Sequence, residues 1–139
     1  MAAKQELKTL LSKTLTSAYS IVATTPGSFT ERPVSLAIQA NFTYGSGGTS
    51  VDVYVQTSLD GGVTWVDIAQ FSFATTTARK AYNLTNAAVT TQATPGDGTL
   101  TGNTCVNGFL GSLYRIKSVV VASSAYAGGT TIVVTAVPT

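Results

Sequence analysis

Between residues 34 and 44 the chain alternates strictly. Val34, Leu36, Ile38, Ala40, Phe42 and Tyr44 fall on one face of an extended strand, and Ser35, Gln39, Asn41 and Thr43 on the other. A helix would scatter these apolar residues around its axis, so the pattern fixes a half-buried β-strand. Gly45-Ser46-Gly47-Gly48 interrupts it, and Val51, Val53 and Val55 then set a second apolar face opposite Asp52, Tyr54 and Gln56. The spacing predicts that these two runs pair as an antiparallel hairpin joined by the glycine-rich stretch. A tight turn at residues 59–62 leads into residues 63–73, where Trp65, Val66, Ile68, Phe71 and Phe73 change phase near Ala69. A β-bulge at that point reconciles the two halves.

Further strands are expected at residues 14–25, ahead of the Pro26-Gly27 turn, and at residues 79–84. Two more close the chain. One spans residues 113–122, with Tyr114, Ile116, Ser118 and Val120 on one face; the other spans residues 130–137, with Ile132, Val134 and Ala136. No strand is followed by a long helical pattern, which excludes a parallel α/β sheet. The expected fold is all-β, two packed antiparallel sheets forming a β-sandwich or jelly roll. Near the N-terminus Leu7, Leu10, Leu11 and Leu15 recur three and four residues apart, so residues 1–15 read as a short amphipathic helix or an arm. Such a segment closes the domain edge as a short helix or strand, or reaches a neighbouring subunit as an arm. Residues 16–139 then form a single β-sandwich domain with a long irregular loop at 85–108, which contains Pro95-Gly96-Asp97-Gly98.

Charged residues make up only 10% of the 139 residues, against about a quarter in an ordinary globular domain. The surface is therefore built largely from Ser, Thr, Asn, Gln and Gly, which suits burial against neighbouring copies because few ions need desolvating. Eight Lys and Arg against six Asp and Glu leave a net charge of +2, with no dense basic patch, so no nucleic-acid partner is expected. The single cysteine, Cys105, has no partner for an internal disulfide, and folding in a reducing cytoplasm is expected. No apolar run is long enough for a membrane helix and no signal-peptide pattern opens the chain, so neither membrane nor secretory export is expected.

Histidine is absent, which removes the commonest general base, metal ligand and nucleophile activator. The chain reads as non-enzymatic, with no catalytic residues, no cofactor and no metal. Asp60 and Asp67 flank one turn, but a glycosidase pair also needs a groove and a carboxyl of raised pKa. Asp97 with nearby carbonyls could offer calcium oxygen ligands, yet its spacing fits no calcium-binding loop, and a plain turn is the expectation. Cys105 lies among Gly and Asn without the electropositive setting of a reactive thiol. Arg79-Lys80 and the pair Arg115 and Lys117 are the candidate interface residues. Arg115 and Lys117 share a strand face and should point outward, solvated, guarding an edge or meeting a partner's acidic patch.

The most informative local pattern is Ser58-Leu59-Asp60-Gly61-Gly62-Val63-Thr64-Trp65, of the form Ser-x-Asp-x-Gly-x-Thr-Trp. Asp60 can fold its carboxylate onto backbone N–H groups of the turn, and Gly61 or Gly62 can take a positive φ. Ser58 and Thr64 supply hydroxyls across the turn, and Trp65 covers the hairpin base. These residues resemble the Asp-box, a hairpin repeated in sialidases and other β-propeller glycan-processing proteins and found singly in many β proteins. In that family the motif is structural, and this chain has one copy and too few residues for a propeller.

A second resemblance spans the last two-thirds of the chain. VDVYVQTSLDGGVTWVDIAQFSF at residues 51–73, followed by a Thr-rich spacer and LGSLYRIKSVVVASSAYAGGTTIVVTAVPT, is similar to small virion proteins of tailed bacteriophages. In both, a strand leads into the Asp-box-like hairpin and an aromatic strand; a variable middle, an Arg-containing strand (here Arg115) and a terminal strand follow. Tyr126, Gly128, Thr130 and Thr131 hold that last element. The resemblance implies a β-sandwich located in the virion after synthesis in the host cytoplasm, decorating or cementing a capsid. Its implied partners are capsid or other virion proteins and sister copies in a homo-oligomer. Alternatives are a head-tail connector or tail component, and a glycan-binding module that stacks sugars on Tyr44, Tyr54 or Tyr82.

Overall fold

Alternating β-branched and aromatic residues separated by glycine turns fold here into strands alone. In a computed structural model, residues 7–87, 94 and 96–139 are described. Their strands are β1 (Lys8–Thr14), β2 (Tyr19–Ala23), β3 (Gly27–Ser28), β4 (Ser35–Thr43), β5 (Ser46–Gly47), β6 (Ser50–Ser58), β7 (Val66–Phe73), β8 (Ala78–Thr85), β9 (Leu113–Val121), β10 (Tyr126–Ala127) and β11 (Thr131–Pro138). One sheet runs β1-β11-β4-β8, and the other β2-β9-β6-β7 with β3 alongside β9; every pairing is antiparallel. With the three two-residue strands set aside and the remaining eight renumbered along the chain, the sheets read 1-8-3-6 and 2-7-4-5. That is the winding of a jelly roll, in which successive strands cross between the two sheets except at the central β6–β7 hairpin.

The expected hairpin between β4 and β6 does not form. β4 pairs with β11 and β8, whereas β6 pairs with β9 and β7, so residues 45–48 carry the chain from one sheet to the other. The connection between β9 and β11 crosses in the same way, and the two crossings meet as the small β5–β10 ribbon. Their fit is close. A Cβ on Gly48, which has φ +66, would lie 2.2 Å from the Tyr126 ring. Sequence periodicity identifies the strands but is blind to which sheet each one joins, and the glycines serve either kind of turn.

Of the readings offered for the N-terminal segment the helix is corrected and the edge strand is the one present: Lys8–Thr14 pairs with β11 at the domain edge. Leu11 and Leu15, four residues apart, share a face in a strand as they would in a helix, and both are buried. A register shift between Thr9 and Leu11 absorbs the out-of-phase Leu10. Residues 1–6 lie outside the described residues. The bulge expected near Ala69 is present, because Val55 faces Ala69 while Gln56 faces Asp67, leaving Ile68 as the extra residue.

Inner faces meet in one core. Leu36, Ile38, Ala40 and Phe42 of β4 with Ile132, Val134 and Ala136 of β11 face Val51, Val53 and Val55 of β6 and Phe71 and Phe73 of β7. Phe42 stacks on Phe73 at 5.0 Å between ring centroids and meets Tyr126 edge-on at 5.9 Å, tying the sheets to the crossing turn. Tyr114, only 1% exposed, packs edge-on against Phe29.

Candidate functional site

The Ser58–Trp65 hairpin joins β6 to β7 and is held by its own side chains. Ser58 Oγ accepts the Gly62 N–H at 2.7 Å and donates to Asp60 Oδ1 at 2.9 Å. Thr64 donates its N–H to Asp60 Oδ1 at 2.8 Å and its hydroxyl to Oδ2 at 2.6 Å. These bonds from the Thr64 hydroxyl and N–H hold the Asp60 carboxyl at about 2, well below its ordinary range, although the group is exposed. Gly61 and Gly62 take φ of 74° and 96°, as the turn requires. Trp65 is buried at the hairpin base with the Arg115 guanidinium 4.6 Å above its ring centre.

Arg115 belongs to a polar cluster on the outer face of the β6–β9 sheet. Its Nε donates to Gln56 Oε1 at 2.7 Å, and Gln56 Nε2 donates to Asp67 Oδ1 at 2.8 Å and to Asp97 Oδ1 at 2.7 Å. Asp97 also pairs with Lys117 Nζ at 3.1 Å and the Arg115 guanidinium at 3.5 Å. Partial burial pushes the Asp97 carboxyl up, but hydrogen bonds from Gln56 and Lys117 and the Lys117 and Arg115 charges outweigh it, leaving the group below its usual range. Arg115 and Lys117 thus point outward as expected but are engaged by the chain's own loop. Asp97 Oδ1 thus accepts from both Gln56 and Lys117.

Asp67, which the sequence offered only as half of an acidic pair, anchors the loop. Its carboxylate accepts the N–H groups of Gly98, Thr99 and Leu100 at 2.8 to 3.1 Å, and its own N–H donates to the Gly96 carbonyl. Gln70 repeats the arrangement, with Oε1 accepting the Asn103 N–H at 2.6 Å and its backbone N–H reaching the Thr104 carbonyl. Cys105 bridges Ala69, and the Val106 N–H reaches the Ile68 carbonyl. Residues 96–106 therefore lie along β7, while 88–93 and 95 fall outside the described residues. A pocket of about 180 Å³ opens between β7 and this segment, lined by Val66, Asp67, Leu100, Val106 and Phe109 among others. It is smaller than ordinary ligand pockets, and its one carboxylate is already saturated by backbone donors.

The other candidates are dispersed. Arg79 Nε donates to Asn41 Oδ1 on the outer face of the β1-β11-β4-β8 sheet, whereas Lys80 turns to the inner side, donating to the Ser72 carbonyl and Asn103 Oδ1 above Phe73. Tyr44 packs against Phe42 and Tyr126, and Tyr82 against Phe71, each with its hydroxyl bonded to a backbone carbonyl. Both rings are half-buried. Tyr19, which the sequence did not single out, is 65% exposed.

Two surfaces stand out by composition. Across the outer face of the first sheet, β4 shows Ser35, Ala37, Gln39, Asn41 and Thr43, β11 shows Thr131, Val133, Thr135 and Val137, and β8 shows Ala81, Asn83 and Thr85. Arg79 is the one charged side chain among the described residues of that face. The second surface is an apolar corner on the other sheet, where Tyr19 lies opposite Val121 and Ile21 opposite Val119. No protein-family model, curated protein or solved structure matches this chain. Its class is the one its own topology defines, an antiparallel β-sandwich wound as a jelly roll.

Proposed function

We propose that this protein is a non-enzymatic structural component of a tailed-phage virion that decorates or cements the capsid, with a head-tail connector or tail component as its nearest alternative. The observation that carries the reading is the outer face of the β1-β11-β4-β8 sheet, four strands wide with a single charge among its described residues. Strands about 4.8 Å apart, about eight residues long at about 3.3 Å each, give that face a footprint of roughly 500 Å². Burying it desolvates hydroxyls, amides and methyl groups but almost no ions, and threonine hydroxyls re-form hydrogen bonds across the contact. A footprint of this size holds weakly in isolation. Repeated identical sites on a symmetric shell convert weak contacts into firm attachment.

Jelly rolls serve as viral capsid and lectin domains among other roles, so the fold supports the reading by analogy while the face supplies the physical argument. The experiment is mass analysis of density-purified particles, with the chain expected in fixed stoichiometry to the shell protein. Gln39→Lys combined with Thr131→Lys, which are not cross-strand partners, should cut incorporation roughly tenfold, since each added charge resists desolvation in the contact, without changing the melting temperature of the free protein. A chain found only in the soluble fraction of the lysate overturns the reading.

A further inference from the structure

Each sheet ends in two edge strands, and three of these four edges carry a device that hinders pairing with another chain. β1 turns Lys8 and Lys13 toward the inner side, opposite Ala136 and Ile132, and is bulged between Thr9 and Leu11. β8 turns Lys80 inward opposite Ala40 and shows Arg79 on its outer side. The β7 edge is closed by residues 96–106. Inward lysines, bulges and covering loops are the usual ways by which folded proteins blunt an edge.

β2, Tyr19-Ser20-Ile21-Val22-Ala23, has none of them. It carries no charge, no proline and no bulge, and among the described residues no strand lies on its far side. Tyr19 is 65%, Ile21 54% and Val22 41% exposed. The Thr24 N–H donates to the Ile116 carbonyl, so by alternation Ser20 and Val22 bond to β9, while Tyr19, Ile21 and Ala23 turn their N–H and C=O groups to the open side.

We propose that β2 pairs with β2 of a second copy, antiparallel about a two-fold axis through Ile21, so that two copies share one continuous sheet. The edge is self-complementary. Ile21 meets Ile21 of the second copy, and each large Tyr19 ring lies opposite the small Ala23 of the other chain. Three facing pairs with two bonds each give about six backbone hydrogen bonds. Tyr19, Ile21, Val119 and Val121 of both copies merge into one apolar stripe, and no ion is desolvated within the paired strands. A pairing five residues long buries less than the roughly 1,000 Å² of a stable interface, so association is weak and concentration-dependent in solution. The inference stands on this edge alone and holds or fails whatever particle the protein belongs to.

Sedimentation equilibrium of the full chain from about 10 μM to about 1 mM spans the affinity expected of so small a contact. The wild-type mass should rise from one copy to two. Ile21→Lys and Ile21→Glu should each raise the dissociation constant on the order of a hundredfold, because like charges then face each other across the axis. Mixing the two variants should restore association, since Lys then faces Glu, while circular dichroism keeps the wild-type spectrum. In the wild type, amide exchange at Tyr19, Ile21 and Ala23 should slow with concentration, and exchange at Ser20 and Val22 should not change. That measurement needs no variant. A wild type that stays single throughout, an Ile21→Lys variant that associates undiminished, a mixture that fails to associate, or exchange at Tyr19, Ile21 and Ala23 that is independent of concentration each overturns the proposal.

Discussion

Asp60 holds its charge in the open, where Coulomb attraction to distant groups is screened, so its lowered pKa comes from the Thr64 hydroxyl and N–H that grip it within the hairpin. The folded value of about 2 lies below the ordinary 3.8, so the ionised group stabilises the fold at every pH above the ordinary value, and that stabilisation is lost as pH falls through about 2. Asp60→Asn should therefore melt below the wild type at pH 7, by a margin that holds down to about pH 4 and then closes toward pH 2. Thermal melts of both proteins across that range check it; a constant margin would place the hairpin's stabilisation elsewhere. Each part of this hairpin was legible in the sequence, because Ser58, Asp60, Gly61, Gly62 and Thr64 act within eight residues of one another.

The segment at residues 96–106 is an element without regular structure, and its order is lent by side chains of β6, β7 and β9. Asp67 is the pivot, buried and taking three successive backbone N–H groups. Asp67→Ala leaves those donors facing a site that water reaches poorly and should cost about 2–3 kcal/mol. It should also speed amide exchange at Gly98, Thr99 and Leu100 well beyond the change at β4, which hydrogen exchange resolves residue by residue. Uniform acceleration across the molecule would show that Asp67 supports the core rather than the segment. Asp97, within the segment, ties it to β6 and β9 through Gln56, Arg115 and Lys117. Because its folded pKa is lowered, its contribution is fully present above the ordinary carboxylate range and fades as pH falls below it. None of this was legible beforehand, since Asp67 and the amides it binds are about thirty residues apart and loop closure of that length leaves no periodic trace.

At the scale of the molecule, the jelly roll is locked where its two crossing turns meet. Gly45 and Gly48 approach the 125–129 turn so closely that an added Cβ would strike Gly128 or the Tyr126 ring. Gly48→Ala combines a left-handed backbone with that collision and should destabilise the whole domain by about 2–4 kcal/mol, measured by urea unfolding with an unchanged slope. A changed slope, or loss confined to residues 45–48, would show that the crossing is a local ornament. The two open surfaces also belong to this scale. In the proposals made above, a nearly uncharged sheet face and an unguarded edge are both contact surfaces of assembled copies.

The sequence by itself determined that the chain is all-β, where most strands run, that β7 is bulged near Ala69, and how the Ser58–Trp65 hairpin is built. These properties reside in period-two alternation and in contacts between near neighbours, which a linear reading captures. Only the tertiary structure decided that Lys8–Thr14 is a strand, since Leu11 and Leu15 satisfy either period until β11 offers a ladder. It alone decided that residues 45–48 cross between sheets, and that Arg115 and Lys117 hold Asp97 of the chain's own loop. Those outcomes depend on which strands come to lie side by side, a choice made by the packing of the whole core.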